Sequence, residues 1–118
     1  MTTLRELAAM LDKATSGTRD MDYAIQMALV PRNERTGDDI PYSVSIDATL
    51  GLVERLFPDR GIDLKHKDAD ATASNTWVFG IAVPGDFAIR RRAPTAALAI
   101  LRALVAALVA KETTDEQA

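Results

Sequence analysis

Residues Thr76 to Ala110 read TWVFGIAVPGDFAIRRRAPTAALAILRALVAALVA, and a change of period inside this stretch decides the fold. Trp77, Phe79 and Ile81 alternate with Val78 and Ala82, which is the twofold repeat of a strand. Both sets are apolar, so this strand is expected to be central and covered on both faces. Gly85 and Asp86 turn the chain, and FAIRRR forms a third, edge-like strand. After Pro94 and Thr95 the period becomes helical. Ala97, Leu98, Leu101, Leu104, Val105 and Leu108 gather on one side of that helix and form a core face.

Working back toward the N-terminus, the same criteria place three more helices and a strand. Leu4, Leu7, Ala8 and Leu11 form one apolar stripe, and Thr3 with Glu6 has the form of a capping box, giving a helix over about 3 to 14. TSGT interrupts it. Met21, Ala24, Ile25 and Ala28 then define a second short helix that ends before Pro31. The polar stretch PRNERTGDDIPY reads as an exposed loop dividing an N-terminal helical hairpin from the main body. Ser43 or Ser45 caps the next helix, in which Ile46, Leu50, Val53 and Phe57 recur until Pro58. Ile62, Leu64 and His66 then alternate with Asp63, Lys65 and Lys67 as a half-buried strand, and DADATASN turns the chain.

The expected fold is therefore α+β: a helix, three-stranded antiparallel sheet and helix sandwich preceded by a helical hairpin. Residues 1–38 form the hairpin and loop, 39–112 the sandwich, and 113–118 a flexible polar tail. A chain shortened to begin near Asp39 is expected to keep its secondary structure.

With 118 residues the chain holds one modest core, and its formal charge of −3 argues against bulk affinity for nucleic acid. The absence of cysteine excludes disulfides, thiolate metal sites and a cysteine nucleophile. MTTLRELAAML carries Arg5 and Glu6 in an amphipathic pattern without a signal-peptide core, which predicts a cytoplasmic protein. The apolar run Ala93 to Ala110 is rich in alanine, holds Arg102 near its middle and lacks aromatic anchors, so it reads as a buried helix and not a membrane span.

YSVSIDATLGLVERLF, the aromatic pair in TWVFGIAV, and APTAALAILRALVAAL together resemble the phage ABA sandwich domain family. LRELAAMLDKATSGTRDMDYAIQMAL is similar to the helical segment that often precedes that domain. The resemblance implies a helix–sheet–helix fold and a phage or prophage setting in a bacterial host cell. It supplies no catalytic residues.

Two features suggest binding. The side of the last helix carrying Ala96, Ile100, Ala103 and Ala107 is small where a solvent-exposed helix would carry Glu, Lys or Gln. Alanine tolerates exposure as the best helix former. Alternatively, the small face admits a second helix, from the hairpin or from another subunit, and a homo-oligomer is the favoured expectation. Arg90, Arg91 and Arg92 stand just before a helix N-terminus, where cations are disfavoured and anions are bound. Strand alternation sends Arg91 to the side of Ile89 and the other two to the opposite side, so the three form no uniform patch. A small anionic nucleotide-like ligand held by Arg91, at least one of Arg90 and Arg92, Thr95 and the first free N–H groups of the helix would relieve that conflict. The competing expectation is pairing with Asp59, Asp63, Asp68 or Asp70.

Other residues point less far. His66, alone of its kind, reads as a half-exposed strand residue because no serine or acid at a diagnostic spacing places it in a triad. Asp68 and Asp70 lack the glycine and terminal glutamate of a calcium loop, so neither a metal nor a cofactor is expected. Tyr42 and Trp77 can stack a base, although a central strand explains Trp77 as core. Three function classes result. A non-enzymatic, oligomeric phage protein sequestering an anionic nucleotide-like signal in anti-defence comes first. A protein–protein interaction module acting on a host or phage protein through the hairpin is the alternative. A hydrolase built on His66 comes last.

Overall fold

A computed structural model describes residues 3–14, 16–30, 40–57, 61–66, 77–83 and 87–117. The elements are α1 (Leu4–Lys13), α2 (Arg19–Leu29), α3 (Ile46–Leu56), β1 (Ile62–His66), β2 (Trp77–Val83), β3 (Phe87–Ala93) and α4 (Ala96–Gln117). The chain is α+β in the expected order, and its sheet is antiparallel with strand order β1-β2-β3.

Local chemistry starts each helix. Thr3 Oγ1 accepts from the Glu6 N–H at 3.1 Å, Thr18 Oγ1 from Met21 at 3.2 Å, Ser45 Oγ from Ala48 at 3.2 Å and Thr95 Oγ1 from Leu98 at 3.2 Å. Of the two serines that could cap α3, Ser45 does so. Ser43 instead is buried and donates to Asp22 Oδ1 through its backbone N–H at 2.7 Å and its hydroxyl at 2.6 Å. The carboxylate thereby ties the entry of α3 to the first turn of α2.

The register explains how the sheet divides its faces. Phe79 and Ile81 of β2 and Ile89 and Ala93 of β3 are buried on the face that packs against α4. The opposite face carries Ala82, Arg90 and Arg92, all exposed, with Val78 half-buried between them. The expectation that β2 is covered on both faces is therefore not met. Among the described residues no helix lies on that second face. Gly80 takes part in its partial cover: a Cβ there would sit 3.2 Å from Arg90 Cγ, so the absence of a side chain lets the arginine stem cross the strand.

α4 occupies the middle of the molecule. It packs on β2 and β3 and also on α1 and α3, which is the placement expected of a helix apolar all round. Ala96, Ile100, Ala103 and Ala107, expected to receive a second subunit, are buried inside the single chain, with Ile100, Ala103 and Ala107 fully so. Packing of α1 and α3 on α4 means that helices of the chain itself lie against it. For the same reason residue 38/39 marks no break in the core. Leu7, Leu11, Met21, Ala24, Ile25 and Leu29 belong to one buried cluster with Phe79, Ile81 and the α4 residues, so the hairpin shares its core with the sheet. The last helix also continues to Gln117, beyond the expected boundary at 112. KETTDEQ contains neither proline nor glycine to stop it.

Two glycines provide a paired test of this packing. A Cβ on Gly17 would fall 2.5 Å from Ser43 Oγ, 2.6 Å from the Ser43 carbonyl oxygen and 2.6 Å from Val44 Cγ1. Gly51, inside α3, faces open space. Gly17→Ala is expected to destabilise the protein by about 1–3 kcal/mol through overpacking. Gly51→Ala is expected to stabilise it by roughly 0.5–1 kcal/mol through helix preference alone. Urea denaturation of both variants checks the opposite signs, and equal midpoints would contradict the close approach at Gly17.

Candidate anion-binding groove

The three consecutive arginines do not converge. Strand alternation sends Arg90 and Arg92 to the open face of the sheet and Arg91 to the other. There Arg91 lines a shallow groove of about 370 Å³ with Arg5, Ala8, Ala9 and Asp12 of α1 and Arg102, Ala106 and Val109 of α4. Arg5 and Asp12 are seven residues apart on one side of α1, about 10 Å along its axis. They therefore stand toward opposite ends of an alanine-lined floor.

Two of the three guanidinium groups lining this groove have very different commitments. Arg102 Nε donates to the Leu11 carbonyl at 2.8 Å, Nη1 to that of Arg92 at 2.7 Å, and Nη2 to those of Asp12 at 3.2 Å and Ala14 at 2.7 Å. These bonds fix Arg102 as a structural clamp at the C-terminal end of α1, where a cation also meets the favourable end of the helix dipole. Arg91 Nη1 donates to the carbonyl of its neighbour Arg90 at 2.8 Å. Its guanidinium is otherwise exposed toward the groove and retains further donors.

Thr95 is not part of this groove. Its hydroxyl caps α4, and its carbonyl accepts the Ala99 N–H at 3.0 Å. With Ser43, Val44, Ile46, Trp77, Pro94, Ala96 and Ala97 it borders a separate cavity of about 290 Å³ at the start of α4. The alternation of the arginines is the expected one, and Arg90, Arg91, Arg92 and Thr95 lie in three places: an open sheet face, a groove, and a helix cap. The conflict between Arg91 and the dipole of α4 is avoided because Arg91 lines the groove between α1 and the middle of α4.

Of the carboxylates considered as partners for the arginines, Asp59, Asp68 and Asp70 lie outside the described residues, as does the side chain of His66. His66 itself closes β1 opposite Trp77. Burial pushes the Tyr42 hydroxyl above its ordinary pKa, an effect that the charge of Arg55 opposes. Tyr42 stands outside the groove. Among the described residues no group of three histidines or carboxylates assembles for a metal, and no helix is long and apolar enough to cross a membrane.

Sequence reasoning missed Arg5 as a groove residue. Its signal was present: Arg5, Ala8, Ala9 and Asp12 recur at three- and four-residue intervals, away from the stripe containing Leu4, Leu7 and Leu11. Arg102 was legible only as a charge within an apolar run.

No family model and no curated protein matches this chain. Among solved structures, it is similar to a phage protein from Bacillus cereus ATCC 14579. The two share 22% sequence identity over 80% of this chain and 94% of that one, with a TM-score of 0.57. The fold is that of a phage protein. The likeness is one of architecture, and no residue role follows from it.

Thr95→Ala is expected to cost about 0.5–2 kcal/mol, the usual loss for a threonine cap. Its denaturation midpoint should fall while far-UV circular dichroism stays native. An unchanged midpoint would contradict the cap assignment.

Proposed function

We propose that this chain is a small phage-type binding protein that acts in the bacterial host cytoplasm without chemistry of its own. Its ligand is a small nucleotide-like anion, sequestered as an anti-defence measure. The observation carrying this reading is that Arg91 and Arg5 line one groove together with alanine and valine side chains. Guanidinium groups bind phosphate oxygens through paired donors, and the apolar floor suits the less polar part of a nucleotide. The fold shared with a phage protein supports the setting. Among the described residues Asp12 is the only carboxylate bordering the groove, so its side chains are suited to retaining a charged ligand more than to cleaving one. The homo-oligomer belongs to the same proposal, with its contacts on surfaces other than the buried small face of α4.

A second reading has its own observation. Tyr23 is 67% exposed and Val44 63% exposed, and they adjoin Asp22 and Ser43, which are hydrogen-bonded to each other. Tyr23 on the hairpin, with Val44 exposed at the entry of α3, suits a host or phage protein partner.

Calorimetric titration with cyclic dinucleotides, NAD-derived cyclic nucleotides and inorganic phosphate tests the first reading. Loss of one arginine contact should weaken binding by about 10- to 150-fold, matching roughly 1.5–3 kcal/mol per charged hydrogen bond. Arg91→Ala and Arg5→Ala should show this loss. Arg91→Lys should fall between Arg91→Ala and the unaltered chain because it keeps the charge and loses the fork. No binding of any phosphate compound would overturn the sequestration reading and favour the protein-partner one.

A further inference from the structure

β3 is an edge strand of a three-stranded sheet. Such an edge ordinarily presents a row of backbone groups on which another strand can add. Here two carbonyls at alternate positions of β3 already accept guanidinium donors. The Arg90 carbonyl receives Arg91 Nη1 at 2.8 Å, and the Arg92 carbonyl receives Arg102 Nη1 at 2.7 Å. Carbonyls two residues apart on a strand point the same way. The second guanidinium also holds the Leu11, Asp12 and Ala14 carbonyls, which brings the end of α1 beside the end of β3.

We infer that Arg91 and Arg102 close the outer edge of β3 against strand addition, so that assembly of this chain does not continue the sheet past β3. Each arginine fills an acceptor that an incoming strand would need, and each places a full positive charge where that strand would lie. A second copy of β3 arriving antiparallel would bring its own Arg90, Arg91 and Arg92 against these charges. The inference does not rest on the anion-binding reading, since it concerns the bond that Arg91 makes to the backbone and not the donors it offers to the groove.

Arg90 supplies the control. Its stem crosses the sheet over Gly80, away from the edge, with Cγ 3.2 Å and Nε 3.5 Å from where a Gly80 Cβ would be. Arg90→Thr and Arg91→Thr therefore remove the same charge and make the same gain in strand preference, but only Arg91→Thr frees an edge carbonyl. Sedimentation velocity over a concentration series should show self-association of Arg91→Thr strengthened by about tenfold or more over Arg90→Thr, the equilibrium equivalent of one charged hydrogen bond. Infrared spectroscopy should show added antiparallel pairing in the associated form. Arg91→Ser, which lacks the same donor and favours strands less, should behave likewise. Urea midpoints close to that of the unaltered chain would establish that association is not unfolding. If Arg91→Thr and Arg91→Ser associate no more strongly than Arg90→Thr, or associate only as they unfold, the inference is overturned.

Discussion

One guanidinium group joins three parts of the chain that lie far apart in sequence. Arg102 projects from the otherwise apolar middle of α4 and donates to the carbonyls of Leu11, Asp12 and Ala14 at the end of α1 and of Arg92 in β3. The last carbonyls of a helix have no partners within it, and the protein meets that need here with a cation. Taking a charge partly out of water on a buried helix is unfavourable, and the four carbonyls offset it for the half-buried Arg102. With this clamp in place α1 lies on α4, the small face of α4 is covered, and the hairpin shares one core with the sheet.

The clamp also orders the surface. Because α1 is held against α4 beside β3, Arg5 and Asp12 border the same groove as Arg91. Arg91 has two roles in this arrangement: one amino group closes the backbone of the edge strand, while its remaining donors face the groove. Arg90 and Arg92, its neighbours in sequence, belong to a different surface. Three identical side chains in a row are given different environments by strand alternation alone.

Periodicity made most of this fold legible. The alternation of Trp77, Phe79 and Ile81 located β2, the stripe of Leu4, Leu7 and Leu11 located α1, and the Thr3 and Glu6 capping box placed the start of α1 to within a residue. Local pattern does not specify which elements touch. The alanine face of α4 requires a close neighbour, but nothing in its composition distinguishes the chain's own α1 from another subunit. Nor does strand alternation say that one face of the sheet goes without a helix. The site was legible only at Arg91, because Arg5 joins it through packing of residues some eighty positions apart, and Thr95 is taken up by its own helix. Arg102 looked like an isolated charge because its partners are backbone carbonyls, which carry no sequence signature.

Amide hydrogen exchange on Arg102→Met, compared with the unaltered protein, tests the central claim most directly. Methionine preserves much of the apolar stem and removes every donor to the four carbonyls. The account predicts that amides of α1 lose protection first and most, with β2 and the middle of α4 retaining more of theirs. Protection of α1 equal to that in the unaltered protein would contradict the claim that this guanidinium holds the N-terminal helix in the core.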